Sequence, residues 1–214
     1  MSTTWKELQE TCLRKIDSLD GVNLVMDSNT TAYINAMPAA ANEAMHLLAT
    51  SGRYWKKCFT IEQGAAEATE ATMQLGSLNA YDLREMIGDY YCMDKIKLAK
   101  GGVYGDYPYY QMEGDHLLLL PADQEGTFRI WYNAYPEKIT ATTAADHVID
   151  LHPEAVNFIA HYMAGQLYKH DDISIAQIYM NEFMTWLEEL KESGTRAAGK
   201  NHGGSGWHSV NGWY

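Results

Sequence analysis

The chain has 214 residues, of which 28 are acidic and 16 are basic, and its formal net charge is −12. This balance argues against a protein that wraps nucleic acid by neutralising phosphates, because that mode of binding needs clustered Lys and Arg. It does not exclude the wall of a channel past which DNA moves without sticking, but the charge alone favours simple solubility through self-repulsion. The length is sufficient to bury a core without disulfides or metals.

The three cysteines and the N-terminal residues indicate the cellular compartment in which the protein is made. Cys12, Cys58 and Cys92 are odd in number and lack the CxxC spacing of metal and redox sites, so we expect reduced, mostly buried thiols in a protein made in a cytoplasm. The first residues lack the basic and apolar regions of a signal peptide. The sequence contains no run of 18 apolar residues, so it predicts no membrane span.

The first half of the chain predicts two helices. Thr4 followed three residues later by Glu7 has the pattern of a capping box, and the apolar spacing after it predicts a helix over 4–19. A second helix is predicted from about residue 31 to 51. Pro38 is compatible with either a kink in that helix or its true start.

A β-rich stretch is predicted in the middle of the chain. Two segments remain open there, since 64–76 fits a short helix or a loop and 79–85 is compatible with one helical turn. Glu113-Gly114-Asp115 predicts a hairpin turn, and Pro136 ends the strongest strand because proline cannot donate into a ladder. Aromatic and β-branched residues predict a strand over 54–63, and further strands are predicted over 90–99, 107–112, 116–120 and 126–135.

An antiparallel pair of helices is predicted over 153–169 and 171–191. Pro153 suits the first position of a helix, and Asp171 or Asp172 suits the N-cap of the second helix, which Gly194 ends. The connection is so short that the helices should lie side by side. The side chains predicted to pack in this bundle are Ile159, Met163, Leu167, Ile175, Ile178, Phe183 and Trp186.

Residues 193–214 predict an extended C-terminal arm. The segment holds Arg196, Lys200 and no acid, so its charge is +2 and that of the remainder is −14, which sum to −12. A segment with this glycine-rich composition is not expected to fold by itself. It is interpreted as an arm that becomes ordered on a partner, and an unstructured terminus is the alternative. The side chains predicted to anchor it on a partner are Trp207, Val210, Trp213 and Tyr214.

The sequence contains no recognisable catalytic or metal-binding pattern. The histidines lack the HExxH spacing, and neither a GxSxG turn nor a glycine-rich phosphate loop is present. We therefore expect no enzyme, no cofactor and no metal. Because catalytic triads are assembled in space, a small metal-independent hydrolase stays open as an alternative, as does a soluble protein-binding module.

Several segments together share the pattern of one family. They lie at 43–50, 129–141 (which contains Tyr135-Pro136-Glu137-Lys138), 150–155, 162–169, 171–176, 181–183 and 206–214. In these segments the chain resembles the head–tail adaptor (connector) proteins of tailed bacteriophages. The resemblance covers 31–62 and 107–214 and rests on structural motifs, whereas 64–102 matches nothing in that family.

The resemblance implies an α+β fold that is mainly α. An antiparallel helical bundle would be built from N-terminal helices in 1–52 and a C-terminal α-hairpin in 141–192. A small β-rich subdomain would be inserted at 53–140, and the extended arm would follow at 193–214.

The resemblance also implies a structural virion protein made in the bacterial host cytoplasm and located at the head–tail junction. Such subunits form a ring beneath the portal protein, commonly of twelve copies, which extends the DNA channel and provides a docking platform for a downstream tail or stopper protein. The implied partners are the portal, neighbouring copies and the tail component. Genomic DNA would pass without specific binding, and no membrane is involved. A tail-completion, tail-terminator or stopper ring protein is the alternative within virions.

Overall fold

A computed structural model of the chain describes residues 3–16, 19–20, 23–24, 28–51, 55–64, 69–100, 102–151 and 153–201. The helices in this part are α1 (Trp5–Lys15), α2 (Ser28–Thr50), α3 (Leu83–Met86), α4 (Pro153–Tyr168) and α5 (Ile173–Asn201). The strands are β1 (Thr3–Thr4), β2 (Leu19–Asp20), β3 (Asn23–Leu24), β4 (Lys56–Gln63), β5 (Met73–Leu75), β6 (Leu78–Asp82), β7 (Tyr90–Lys100), β8 (Val103–Asp106), β9 (Gln111–Glu113), β10 (Leu117–Pro121), β11 (Gly126–Ala134) and β12 (Val148–Ile149).

The start of α1 confirms the predicted capping box. The Thr4 amide donates to Glu7 Oε2 over 2.8 Å, and the Glu7 amide donates to Thr4 Oγ1 over 3.3 Å. Two amides of the first turn, which lack partners inside the helix, are thereby satisfied. The helix then buries Leu8 and Cys12 and ends at Lys15, four residues before the predicted end.

Helix α4 is the centre of the helical part, and it packs against α1, α2 and α5. Buried alanines on α2 and α4, among them Ala41 and Ala160, let the backbones approach closely. Gly165 serves the contact with α5, because a Cβ there would lie 2.9 Å from Met180 Cγ and 3.1 Å from the Ala176 carbonyl oxygen.

The strands form two antiparallel four-stranded sheets. The first sheet has the order β4-β11-β7-β8, and the second has the order β5-β6-β10-β9. Smaller pairs join β1 to β12 and β2 to β3. Along the central strand β11 the buried Phe128 and Ile130 alternate with Arg129 and Trp131, which are only half-buried. One face of the first sheet therefore faces the core and the other faces outward.

The predicted fold class, a mainly helical bundle with a small β-rich insertion, is wrong. Strands hold 31% of the described residues and form two four-stranded sheets. One continuous core joins side chains of the helices, such as Leu8 and Ile159, to side chains of the first sheet, such as Ile61 and Phe128. The chain is therefore an α+β protein in which sheets and helices both contribute to the core.

Several local predictions for the β region are confirmed, some with shifted ends. Strands β4, β7 and β11 lie where strands were expected, and β9 and β10 form the expected hairpin around Gly114, whose φ is +63°. Residues 107–110 are not in a strand. The segment 79–85 divides into the end of β6 and the start of α3, because Asp82 Oδ1 accepts from the amides of Arg84 and Glu85.

The second C-terminal helix is longer than the sequence predicted. Asp172 caps it as expected, since Asp172 Oδ1 accepts from the Ser174 amide over 2.9 Å and the Ile175 amide over 3.2 Å. However, α5 continues through Gly194 to Asn201. Residues 193–201 are therefore helical and not extended, because Gly194 and Gly199 each cost a helix only about 1 kcal/mol and do not by themselves end it.

Candidate interaction surfaces

Most of the predicted bundle residues lie in or against the core. Ile159, Met163 and Phe183 are fully buried, and Leu167 is nearly so. Trp186 is partly buried and stacks on Phe158, with ring centroids 4.4 Å apart and planes 7° from parallel.

Ile175 and Ile178 do not pack in the bundle as predicted. Their exposed fractions are 37% and 58%. The buried face of α5 contains Ala176, Phe183 and Leu187, and Ile178 lies about 200° around the helix from Ala176 at 100° per residue. Both isoleucines therefore point to solvent.

The predicted anchor residues of the arm, Trp207, Val210, Trp213 and Tyr214, lie outside the described residues. The cysteines are only in part as expected, since Cys12 is buried whereas Cys58 is exposed.

The outward side of the first sheet carries a group of cations around aromatic rings, which we call the basic sheet face. It consists of Lys95, Lys97, Tyr104, Arg129 and Trp131. The antiparallel register places Lys97 beside Arg129 and Lys95 beside Trp131. These side chains share one face because residues alternate along each strand and neighbouring strands keep the same phase.

Cations of the basic sheet face lie over its rings. The Lys95 and Lys97 ammonium nitrogens are 5.4 and 5.8 Å from the centroid of the Trp131 ring, and the Arg129 guanidinium carbon is 5.9 Å from it. Arg129 is also 4.1 Å from the centroid of the Tyr104 ring. Cation–π attraction of this kind contributes about 0.5–1 kcal/mol at exposed sites.

The charges of this face are only partly compensated. Lys97 Nζ lies 3.5 Å from Asp106 Oδ1. Lys95 and Arg129, in contrast, have no carboxylate within 4.0 Å among the residues that the structure describes. This is unusual in a chain with 28 acidic residues, and it leaves two cations available to an anionic group from outside.

The margin of the face contains an ion pair and an accessible thiol. Lys56 Nζ pairs with Asp94 Oδ2 over 3.0 Å. Cys58 lies opposite Trp131 on β4. Burial raises the pKa of the Cys58 thiol, and the positive charge of Arg129 opposes that shift. Cys58 is therefore accessible to chemical cross-linkers, but it lacks the lowered pKa of an activated nucleophile.

A second exposed surface runs along α5, and we call it the α5 stripe. It consists of Ile175, Ile178, Glu182 and Glu189, spaced at i, i+3, i+7 and i+14, so that all four lie on one side of the helix. All four side chains are exposed. The stripe joins an apolar half to an acidic half.

A histidine lies between the stripe and the core. His161 Nδ1 is 3.3 Å from Glu182 Oε2, but the geometry does not make a hydrogen bond. Burial lowers the pKa of His161, the charge of Lys15 lowers it further, and Glu182 acts in the opposite direction. The imidazole is therefore predominantly neutral at neutral pH.

A groove between α2 and the end of α4 has a volume of about 440 Å³. Alanines of α2 form much of its wall, and Tyr33 donates a hydrogen bond to Asp171 at its edge. Glu43 and His170 also line it, but its described lining holds no Ser, Thr, Cys or Lys nucleophile. The arrangement does not resemble a nucleophile–base pair.

The described residues also bear on metal binding and on membrane insertion. Within the described residues, no group of three or more His, Cys, Asp or Glu side chains is placed to hold a metal ion. Among the described helices, none combines the length and apolar character of a membrane-spanning helix.

Sequence reasoning missed the basic sheet face. Lys95 and Arg129 are distant in sequence and become neighbours only through the register of β7 on β11. The sequence does show that Lys95 and Lys97, and likewise Arg129 and Trp131, are two residues apart. This spacing places each pair on one side of its strand and could have indicated the face.

No protein-family model matches the chain, and comparison with curated proteins found no match. The function is therefore argued from the residues and surfaces described above.

Proposed function

We propose that the chain is a structural protein of a tailed-phage virion, a head–tail adaptor whose copies form a ring beneath the portal. The ring would extend the DNA channel and offer a docking platform for the next tail component. The sequence resemblance at 129–141, 150–155, 162–169, 171–176 and 181–183 supports this role. Four of these segments lie in or border the α4–α5 hairpin.

The observation that carries the proposal is the exposed apolar side of α5. Ile175 and Ile178 lie on one side of this helix and are 37% and 58% exposed, although the helix packs well on its other side. Aligned apolar groups on a surface helix favour a contact with another protein. A subunit of a ring would cover them with a neighbouring copy or with the portal.

The two exposed surfaces differ in chemistry, which suits a ring. A two-fold contact places the same surface on both partners, whereas a contact between different surfaces generates a ring when the rotation closes. The basic sheet face and the α5 stripe are such a pair of different surfaces. The net charge of −12 also suits a channel through which DNA passes without specific binding.

A stopper or tail-terminator ring is the second candidate. Such proteins are expected to be richer in strands, and the two four-stranded sheets favour them more than the sequence predicted. The long antiparallel pair of C-terminal helices, α4 and α5, favours the adaptor role.

Binding partners separate the two candidates. The purified chain is mixed in turn with the portal ring and with the tail-tube protein encoded by the same genome, and the masses of the complexes are measured by mass photometry. The adaptor proposal predicts a complex with the portal ring that contains many copies of the chain. Binding to the tail tube alone would support the second candidate, and binding to neither would contradict both.

A further inference from the structure

We infer that the basic sheet face of one copy binds the α5 stripe of a second copy, so that neighbouring subunits associate head to tail. The inference deepens the proposed function and rests on it for the closure of the ring. It names the two surfaces through which the copies meet.

The first argument is that two cations of an acidic chain lack a carboxylate partner. Lys95 and Arg129 lie on the outward side of the first sheet, and neither meets a carboxylate within 4.0 Å in the described part of the chain. Arg presents a planar fork of donors that matches a carboxylate and keeps its charge at all physiological pH values. An acidic group from another molecule is the chemistry that this face fits.

The second argument distinguishes a carboxylate partner from nucleic acid. Proteins that bind single strands offer open aromatic faces on which bases stack, together with a long basic groove. Here the cations of Lys95, Lys97 and Arg129 lie within 6 Å of the Trp131 centroid, and Arg129 also covers Tyr104. The rings are thus engaged by cations, and the net charge of −12 repels a polyanion.

The third argument is that this chain carries a complementary surface. Glu189 is exposed and has no basic partner within 4.0 Å among the described side chains, and Glu182 is half exposed. From Ile175 to Glu189 the stripe is about 21 Å long at 1.5 Å per residue. The four strands of the first sheet span about 14 Å at a spacing of about 4.8 Å, so that the two surfaces are comparable in size.

The apolar half of the stripe completes the match. Exposed ion pairs are individually weak, so the charges orient the contact and do not hold it alone. In the contact, Ile175 and Ile178 would pack against the aliphatic parts of the lysine side chains and the edge of the Trp131 ring. Removing these apolar groups from water would stabilise the contact. Because the two surfaces belong to different elements of one chain, each copy can use one surface with each neighbour.

Cross-linking between two differently tagged chains tests the contact. The first chain keeps the exposed Cys58 and carries Cys92→Ser. The second carries Cys58→Ser and Cys92→Ser together with Thr185→Cys, an exposed position beside the stripe. The chains are mixed with a short bismaleimide, both free at high concentration and bound to the portal ring. We expect a cross-linked pair that contains one chain of each tag.

Reversing charges on the two surfaces tests the contact more directly than the cross-link alone. Arg129→Glu in the first chain should lower the yield of this pair about tenfold, because it places like charges together. Glu189→Lys in the second chain should restore it. Lys138→Glu, an exposed change of equal charge outside the face, is the matched control and should leave the yield unchanged.

The contrary outcomes distinguish a failure of the contact from a failure of the adaptor role. Equal yields with Arg129→Glu, or no pair with or without the portal, would show that these surfaces do not meet. If the chain nevertheless assembles on the portal, the proposed function survives and only the contact is wrong. If the pair forms and no portal complex exists, the contact holds and the adaptor role fails. Retention of an oligothymidine by the wild-type chain that Arg129→Glu abolishes would assign the face to nucleic acid.

Discussion

Arg129 lies over the ring of Tyr104, with its guanidinium carbon 4.1 Å from the ring centroid. Arg129 is on β11, the second strand of the first sheet, and Tyr104 is on the edge strand β8, so the side chain reaches across β7. The contact holds the outward side of three strands together. It also keeps the guanidinium in position on the surface that we assign to a neighbouring copy.

A double-mutant cycle on these two residues measures the contact. Arg129→Ala and Tyr104→Ala should each lower the free energy of unfolding, and their coupling should be about 0.5–1 kcal/mol, the usual size of an exposed cation–π interaction. Urea denaturation of the isolated subunit gives these values. Additive effects of the two substitutions would mean that the ring and the guanidinium do not interact in solution.

Gly165 should be intolerant of even one methyl group. Alanine normally stabilises a helix relative to glycine by about 1 kcal/mol. At this position its Cβ would lie 3.1 Å from the Ala176 backbone oxygen, so α4 and α5 would have to separate. We therefore expect Gly165→Ala to lower the free energy of unfolding by about 1–3 kcal/mol.

Gly88→Ala is the control for that substitution, because a Cβ at Gly88 meets nothing within 4 Å. Thermal and urea unfolding of both variants should separate them clearly. A Gly165→Ala variant as stable as the wild type would show that the close approach of α4 and α5 is relaxed in solution.

Two substitutions on α5 should separate folding from assembly. Phe183 is fully buried, so Phe183→Ala should cost about 3–5 kcal/mol of stability. Ile178 is 58% exposed, so Ile178→Ala should change the free energy of unfolding by only about 0.5 kcal/mol or less. It should nevertheless reduce assembly on the portal ring, measured by mass photometry. A fully assembled Ile178→Ala variant would argue against a contact through the stripe.

His161 should make the subunit less stable in mild acid. Its pKa in the folded chain is lowered, first by burial and then by Lys15. Between the folded pKa and the ordinary value of about 6.5, the unfolded chain binds more protons, so the free energy of unfolding falls as the pH decreases through this range. Below the folded pKa both states are protonated, and no further loss arises from this group.

Comparison with His161→Gln isolates the effect. Urea denaturation at about pH 7.5 and about pH 5 should show a larger loss of stability in the wild type than in the variant. Equal losses would show that His161 is accessible to protons in the folded state.

The C-terminal arm remains a prediction, and the end of α5 at Asn201 refines where to cut it. Deletion of 202–214 should leave the subunit folded, as judged by circular dichroism and urea denaturation, and should abolish docking on the portal. Replacement of Trp207, Trp213 and Tyr214 by Ser in the full chain should have the same effect, because it removes the aromatic anchors. Normal docking by either variant would contradict the role of the arm.

Features that depend on neighbouring residues were predictable from the sequence. The capping box of Thr4 and Glu7 and the cap at Asp172 follow from side chains that reach amides two or three residues away. Strand β11 combines alternation with a proline just after its end, so that its identity did not require the rest of the fold.

Features that depend on distant pairing were not predictable in the same way. The basic sheet face exists only because β7 and β11 pair in one particular register. The exposure of Ile178 depends on which side of α5 meets α4, and periodicity alone did not distinguish the edge of the apolar side from its centre. Short strands such as β5 and β8 carry too few residues to show a pattern, so the strand content of the fold was underestimated.

The most direct test of the account is cryo-electron microscopy of the chain bound to the portal ring encoded by the same genome. The account predicts a second ring, coaxial with the portal, in which Lys95 and Arg129 of each copy face Glu189 of its neighbour. A ring joined through other surfaces would contradict the inferred contact. The absence of any ring, with a portal shown to bind another partner, would contradict the adaptor role itself.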